Sequence, residues 1–168
     1  MRLASLVMIF VSLLSSAAIF GFFYAWVCST MWGLDAADPR VAIAAMQAMN
    51  ASVRNAVFAP VFFGTPVYLA VTAALLWARR ARQSAGLFAL SAAVSLVLGA
   101  GLTMAVNVPM NEALALVVIP DDPDAARAIW QDFSAPWQVW NQIRTAGSGA
   151  AFLIAVLAVL KLPRAAGA

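Results

Sequence analysis

The chain has 168 residues, of which 64% are hydrophobic and only 10% are charged. Globular domains carry about 25% charged residues, so the composition excludes an ordinary soluble fold and indicates an integral membrane protein. The net charge of +3 comes from scattered arginines, so nucleic-acid binding has no support. There is no histidine and a single cysteine, Cys28. The chain therefore lacks dithiol chemistry and the commonest metal and haem ligand, and we expect no metal or other cofactor.

Four apolar segments are predicted to cross the membrane as helices. The first is longer than the ~7–15-residue apolar region of a cleaved signal peptide, so we expect it to be retained as a span. The whole chain, residues 1–168, is predicted to be all-α and to form a single integral membrane domain, a four-transmembrane-helix bundle. The predicted spans cover approximately residues 3–27, 58–77, 85–106 and 138–160.

The acidic residues are expected at one end of this bundle and most of the basic residues at the other. All seven acidic residues belong to the end that carries the two longer loops. The positive-inside rule makes the other, basic end cytoplasmic, with both termini inside, and the membrane is expected to be a bacterial-type inner or plasma membrane. The basic end holds Arg2, Arg79, Arg80, Arg82, Lys161 and Arg164.

The two outer loops are predicted to contain short amphipathic helices. Asp38 fits a helix cap, with Pro39 at the first helical position, and residues 41–53 contain no helix breaker. In the second loop, residues 124–133 fit a short helix, and Pro136 is expected to reset the chain before the fourth span.

Prolines are also expected to shape two of the spans. Pro109 is predicted to end the third span and to present Asn107 and Asn111 at the mouth of the bundle. Pro60 and Pro66 predict a kink in the second span, which we attribute to packing rather than to gating.

Polar side chains concentrate at the outer end of the predicted bundle. Asn107 and Asn111 close the third span, while Trp137, Asn141 and Arg144 fall on one stripe of the fourth helix. A permanent cation can hold an oxyanion, amides can donate to oxygens, and indole faces suit a flat aromatic ligand. We therefore take Arg144, Asn141, Asn107 and Asn111 as candidate catalytic residues.

Other outer residues are expected at the same depth. Gln47, Asn50 and Arg54 share one stripe of the outer helix, and Asn55 follows at the entry to the second span. Tyr24 lies near the outer end of the first span, one turn before Cys28, which we expect to be a buried small hydrophobe. The candidate substrate-binding residues are Trp137, Trp140, Tyr24, Gln47, Asn50 and Asn55.

Each of these features also has an ordinary structural explanation. Tryptophans at a membrane interface are commonly belt anchors, and Trp77 fits that role best. Arg144 could contact a lipid phosphate, or pair with an acidic residue such as Glu112 or Asp132. Amides between membrane helices often form only interhelical hydrogen bonds.

With these motifs the chain resembles the anthrone-oxygenase-like family of small four-helix membrane proteins. The resemblance covers nearly the whole chain, and its last two motifs are the most specific. It implies a four-helix membrane fold and oxidation of polycyclic anthrones to anthraquinones by O₂, without an evident metal or flavin. The matching pieces are Phe22-Phe-Tyr24, then Met46-Gln-x-Met-Asn50 with Asn55 and Phe58 after it, Asn107-Val-Pro-x-Asn111, and Trp137-x-x-Trp-Asn141-x-x-Arg144.

These observations leave three functional hypotheses. The first is an enzyme in which O₂ oxidises a flat phenolic or anthrone-like substrate in a pocket at the outer end, with Arg144 stabilising its enolate. The second is a non-catalytic protein that binds a lipid, a quinone or a hydrophobic small molecule there. The third is a structural membrane subunit, in which Asn107, Asn141 and Arg144 would saturate one another. Expected partners are membrane lipid and a hydrophobic ligand, and the sequence gives no oligomeric state.

Overall fold

The computed structural model describes residues 3–163, and that part of the chain is helical with no strand. Four of its helices are long and apolar enough to cross a membrane, and a shorter helix lies in the loop between the first two of them. The end of the bundle that carries this loop is called the outer end, as a label that implies no side of the membrane. The predicted all-α bundle of four spans is therefore confirmed. The helices are α1 (Leu3–Ala36), α2 (Pro39–Ser52), α3 (Phe58–Trp77), α4 (Arg82–Ala115) and α5 (Pro123–Leu160).

The first outer loop folds as its sequence predicts. The carboxylate of Asp38 accepts a hydrogen bond from the backbone N–H of Arg40, and Pro39 begins α2. The apolar stripe of α2 is buried, including Ala42, Ile43 and Met46. This helix packs against the outer parts of α4 and α5, so it covers the outer end of the bundle.

Three of the predicted spans lie within longer helices: α1 continues past residue 27 to Ala36, and the boundaries predicted at Pro109 and Pro136 are wrong. The helix α4 continues through Pro109 to Ala115, because Pro109 falls in the first turn of the α-helical segment that comes after a π-helical one. The fixed φ of proline suits a first helical turn, so the helix continues although Pro109 cannot donate a hydrogen bond back to the π-helical segment. Because the helix continues, Asn111 lies one turn beyond Asn107 on α4.

The fourth span is also longer than predicted, since α5 runs through Pro136 and includes the segment expected to form a separate helix. An interior proline loses one backbone hydrogen bond. Here the side chains on either side of it are held by other helices: Ser134 donates to Asp35 on α1, and Trp137 donates to Asn111 on α4. These ties offset the lost bond and keep α5 continuous.

Two of the long helices contain π-helical segments, which are uncommon and frequently occur at functional sites. In α1 the segment is Trp26–Thr30, and in α4 the segments are Ser95–Gly101 and Thr103–Asn107. In an α-helix, each step of four residues displaces the side chain by about 40° around the helix axis. Five residues spaced in this way would therefore spread over about 160°. The wider turns of the π segments compensate for this displacement. Five residues of α4 that are spaced four apart therefore all stay buried, namely Ser91, Ser95, Gly99, Thr103 and Asn107.

The core has an apolar inner part and an aromatic outer part. The inner cluster joins the first half of α1 to α3, α4 and the end of α5, through residues such as Ile9, Leu76, Phe88 and Ala158. Ile19, Phe23, Phe62 and Ala100 form a middle cluster. The outer cluster joins α2 to α1, α4 and α5 through Met31, Ile43, Met46, Leu114, Trp130, Phe133 and Trp137.

The sidedness of the bundle stays a prediction, as does its description as a single domain. Arg79, Arg80, Arg82 and Lys161 lie at the end where α1 begins, because the spans alternate in direction. Arg2 and Arg164, which also support the expected orientation, lie outside the described residues.

Candidate functional site

Arg144 lies inside the bundle, with only 5% of its surface exposed. Its Nε donates to the amide Oδ1 of Asn141 at 2.9 Å, and its Nη1 donates to the hydroxyl of Thr103 at 3.3 Å. The guanidinium carbon is 4.2 Å from the centroid of the Phe23 ring and 5.2 Å from that of Trp137. Aromatic faces attract cations, so these rings contribute to holding the guanidinium within the bundle.

No carboxylate neutralises this guanidinium within residues 3–163. The ion pairs there join Arg40 to Asp38, Arg54 to Glu112 and Arg127 to Asp124. Glu112, which the sequence offered as a structural partner for Arg144, is thus paired elsewhere. A cation buried without a counter-ion is costly, and in membrane proteins such residues commonly mark functional sites.

Asn107 is the second unusual group of the site. Its side chain is fully buried, and neither its amide nitrogen nor its amide oxygen has a hydrogen-bond partner among the described residues. A buried amide without partners costs about 1–3 kcal/mol, so such groups in native proteins call for a water or a ligand.

The contacts on either side of Asn107 place it on the part of α4 that faces the site on α5. Four residues before it, Thr103 contacts Arg144, and four residues after it, Asn111 accepts a hydrogen bond from the indole Nε1 of Trp137 at 2.8 Å. Because α4 and α5 are antiparallel, Asn107 lies at the level of Asn141, between these two contacts. The structure therefore brings all four predicted catalytic candidates, and Trp137, to the facing sides of α4 and α5, spread over about two helical turns.

Asn141 and Asn111 are already engaged by the protein. The amide nitrogen of Asn141 donates to the backbone carbonyl of Phe23 at 3.4 Å, and its oxygen accepts from Arg144. The amide oxygen of Asn111 accepts from the buried Trp137. These two asparagines hold α1, α4 and α5 together around Arg144, while Asn107 keeps free hydrogen-bonding capacity.

Five of the six predicted substrate-binding residues lie outside this cluster, and only Trp137 belongs to it. Tyr24 is 51% exposed and Trp140 is 37% exposed, so both lie on the surface of the bundle rather than in its interior. Gln47 donates to the carbonyls of Leu114 and Val117, so it joins α2 to the end of α4. The amide oxygen of Asn55 accepts from the N–H groups of the residues at the start of α3, which makes it a helix cap.

Two further sequence predictions have different outcomes. Asn50 has a buried amide nitrogen without a partner among the described residues, and it lies on α2, apart from the contacts that Arg144 makes. Cys28 is exposed, so the prediction of a buried small hydrophobe is wrong. It lies in the π-helical segment of α1, whose residues are not buried.

Sequence reasoning missed three groups. Thr103 and Phe23 both contact Arg144, and the four-residue spacing from Thr103 to Asn107 was the signal for the first of them. The third is Asp35 near the outer end of α1. Its carboxylate accepts from the indole of Trp130, the hydroxyl of Ser134 and the amide of Gln138, all on α5, at 2.7–2.9 Å. These side chains line an outer groove of about 440 Å³.

Comparison with known proteins gives one match to a protein family. The family model described as anthrone oxygenase matches residues 55–154, which is more than half of the chain. The protein belongs to the anthrone oxygenase family. The match covers α3, α4 and most of α5, and it includes Thr103, Asn107, Asn141 and Arg144. No curated protein and no solved structure matches the chain. Membership of the anthrone oxygenase family thus rests on the segment that contains the buried cation and the free amide.

Proposed function

We propose that this anthrone oxygenase family member oxidises a flat, hydrophobic phenolic or anthrone-like compound with O₂, without a cofactor, at the Arg144 cluster. One observation carries the proposal: a buried guanidinium without a carboxylate partner lies at the level of a buried amide, Asn107, that has no protein partner among the described residues. A substrate oxygen that gains negative charge satisfies both groups at once. The surrounding rings of Phe23 and Trp137 suit a flat aromatic body.

The chemistry starts with loss of a proton from the ring carbon opposite the substrate carbonyl. The electron pair of that C–H bond passes to the carbonyl oxygen and gives an enolate, which Arg144 stabilises by its charge and Asn107 by its amide N–H. The enolate carbon then reacts with O₂, and the peroxide takes up a proton. Elimination of water from this hydroperoxide leaves one oxygen atom of O₂ as the new carbonyl and releases the other in water.

The proton acceptor is proposed to be water. The described side chains around Arg144 are amides, a hydroxyl and aromatic rings, and Tyr24 lies on the surface away from them. Stabilisation of the enolate by Arg144 lowers the pKa of the substrate, so a weak base suffices. Oxyanion stabilisation is commonly the largest single contribution to catalysis in reactions of this kind.

The test is oxidation of an anthrone by the purified protein in detergent, followed by O₂ uptake and by the absorbance of the anthraquinone. We expect Arg144→Met to lower kcat/KM by about 100-fold or more, the usual effect of removing an oxyanion-stabilising group. The matched control is Arg82→Met. The guanidinium of Arg82 also lies over an aromatic ring, 4.7 Å from the centroid of Trp77, but at the other end of the bundle. Equal rates in the native protein and Arg144→Met would contradict the proposal.

A second candidate is non-catalytic binding of a quinone, a lipid or another hydrophobic molecule. It is favoured by one observation, namely that Arg144 is the only ionisable side chain among the described groups of the cluster. Binding that depends on Arg144 and Asn107, with no O₂ uptake above the rate of the free anthrone, would select this candidate. A purely structural subunit requires a closed cluster, with which the burial of Asn107, Asn141 and Arg144 agrees, but it also requires Asn107 to be saturated by its neighbours, which the described residues do not do.

A further inference from the structure

Thr103 is the residue of α4 that hydrogen-bonds Arg144. Its hydroxyl donates to the backbone carbonyl of Gly99 at 2.7 Å and accepts from Nη1 of Arg144 at 3.3 Å. A threonine hydroxyl has one proton and two lone pairs, and a guanidinium can only donate. In the short hydrogen bond to Gly99 the hydroxyl proton of Thr103 points at the carbonyl oxygen. A lone pair of the hydroxyl oxygen therefore faces Arg144.

This contact connects the two halves of the site. The other hydrogen bond of the Arg144 guanidinium goes to Asn141, which lies on the same helix, α5. Asn107 belongs to α4, one turn after Thr103 in the same π-helical segment. The Thr103 hydroxyl therefore links the cation to the helix segment that carries Asn107, the amide that has no partner among the described residues.

We propose that Thr103 is a positioning residue for Arg144, which holds the guanidinium at the distance from Asn107 at which both groups reach one substrate oxygen. This inference rests on the proposed function, since it assigns the geometry of the same oxyanion site. It goes beyond that function by giving a specific role to a hydroxyl that touches neither substrate nor O₂.

The chain supplies a matched control for the ordinary structural role of such a hydroxyl. Thr65 on α3 is buried like Thr103, and its hydroxyl likewise donates to the carbonyl four residues earlier, that of Val61, at 2.6 Å. A bond of this kind satisfies the hydroxyl within its own helix. Thr65→Val removes that bond alone, whereas Thr103→Val removes the same kind of bond together with the contact to Arg144. Thr103→Ser keeps both.

The experiment measures binding and ionisation of a monohydroxyanthraquinone, whose visible absorption changes when its phenol loses a proton. We expect the native protein to lower the apparent pKa of the bound probe, because Arg144 favours the phenolate. Thr103→Val should raise that apparent pKa by about one unit relative to the native protein and lower anthrone turnover about tenfold, the usual effect of losing a hydrogen bond to a charged group. Thr103→Ser and Thr65→Val should match the native protein.

The outcomes separate the two proposals. If the native protein neither shifts the probe nor oxidises anthrone, the proposed function fails, and the role of Thr103 falls with it. If the native protein shifts the probe and oxidises anthrone, only the role of Thr103 can be overturned. That follows if Thr103→Val matches the native protein, or if Thr65→Val shows the same loss as Thr103→Val.

A ligand-free measurement guards against misfolding of the valine variant. Thr103→Val, Arg144→Met and the double variant are compared by their thermal unfolding in detergent. We expect the loss of melting temperature in the double variant to be smaller than the sum of the two single losses, because both single changes break the same contact. Strictly additive losses would show that the two side chains do not interact, and would overturn the inference.

Discussion

Asn141 and Arg144, three residues apart on α5, are joined by a hydrogen bond from the guanidinium Nε to the amide Oδ1 at 2.9 Å. The amide nitrogen of Asn141 donates to the carbonyl of Phe23, so this asparagine is engaged at both of its polar atoms. Asn107, at the same level on α4, has no hydrogen-bond partner within residues 3–163. Two asparagines that look alike in the sequence therefore differ in role: one builds the site, and the other is available to a ligand.

Replacement of Asn107 by leucine tests this difference. Because the buried amide has no partner within the described part of the chain, Asn107→Leu should raise the free energy of unfolding of the ligand-free protein by about 1–3 kcal/mol, and it should abolish binding of an anionic aromatic probe. The measurements are thermal or denaturant unfolding and probe absorbance. Asn141→Leu is the matched control, and it should destabilise the protein because it breaks two hydrogen bonds. A destabilised Asn107→Leu protein would mean that protein contacts saturate Asn107.

The π-helical segment Thr103–Asn107 should be necessary for the site and not for the fold. Deletion of Met104, which lies in this segment and is exposed, removes the extra residue that a π turn has over an α turn, so the segment can close as an α-helix. We expect the helical content in circular dichroism to stay near the native value while probe binding is lost, because Asn107 then comes one residue nearer to Thr103 and loses its place relative to Arg144. Met104→Ala keeps the length of the helix and should bind normally. Normal binding by the deletion variant would show that the π geometry is dispensable.

Asp35 should stabilise the outer end of the bundle. Asp35→Ala leaves Trp130, Ser134 and Gln138 without their acceptor on α1. We expect a loss of about 1–3 kcal/mol in the free energy of unfolding, the usual range for hydrogen bonds to a charged group. Faster amide exchange should accompany it in the outer part of α5. Asp132→Ala, which changes an exposed carboxylate on α5, should have little effect. Equal stabilities of the two variants would contradict a stabilising role for Asp35.

The cap of α2 should give the outer loop a pH dependence in the acid range. Hydrogen bonds from the Arg40 side chain and backbone lower the pKa of Asp38 from its usual 3.8 to about 2. Since the folded-state pKa lies below the unfolded one, the stabilisation is fully present above about pH 4 and is lost as the pH falls toward about 2. Unfolding of the native protein and Asp38→Asn at several pH values measures this. The stability difference between them should shrink over that interval. A difference that stays constant between pH 4 and 2 would argue against the carboxylate as its source.

Much of the fold could be predicted from local patterns. The hydropathy of four segments predicts four spans, and the Asp38-Pro39 pair predicts the start of α2. The sequence predictions fail where a proline is expected to end a helix. At Pro109 a preceding π segment accommodates the ring, and at Pro136 contacts to two other helices hold α5 together. Such compensation depends on neighbours that are distant in sequence.

The candidate site, too, could be predicted from the sequence only in part. Helical spacing placed Trp137, Asn141 and Arg144 on one stripe, and topology placed Asn107 and Asn111 opposite them. The sequence predicts the same membrane depth for Gln47, Asn55 and Tyr24. In the structure, Gln47 and Asn55 form hydrogen bonds with backbone groups, and Tyr24 is exposed on the surface. Depth follows from hydropathy, but the direction of a side chain depends on how each helix is rotated against its neighbours.

By itself, the sequence determined a membrane bundle of four helices with its amides and its arginine at one end, because hydropathy, charge and helical period are properties of consecutive residues. Only the tertiary structure decided which of these polar groups satisfy one another. Arg144 meets Thr103 across two helices, Trp137 meets Asn111, and Asn107 is left without a partner in residues 3–163. The physical reason is that hydrogen bonds need distances near 3 Å between atoms far apart in the chain, and packing alone sets those distances.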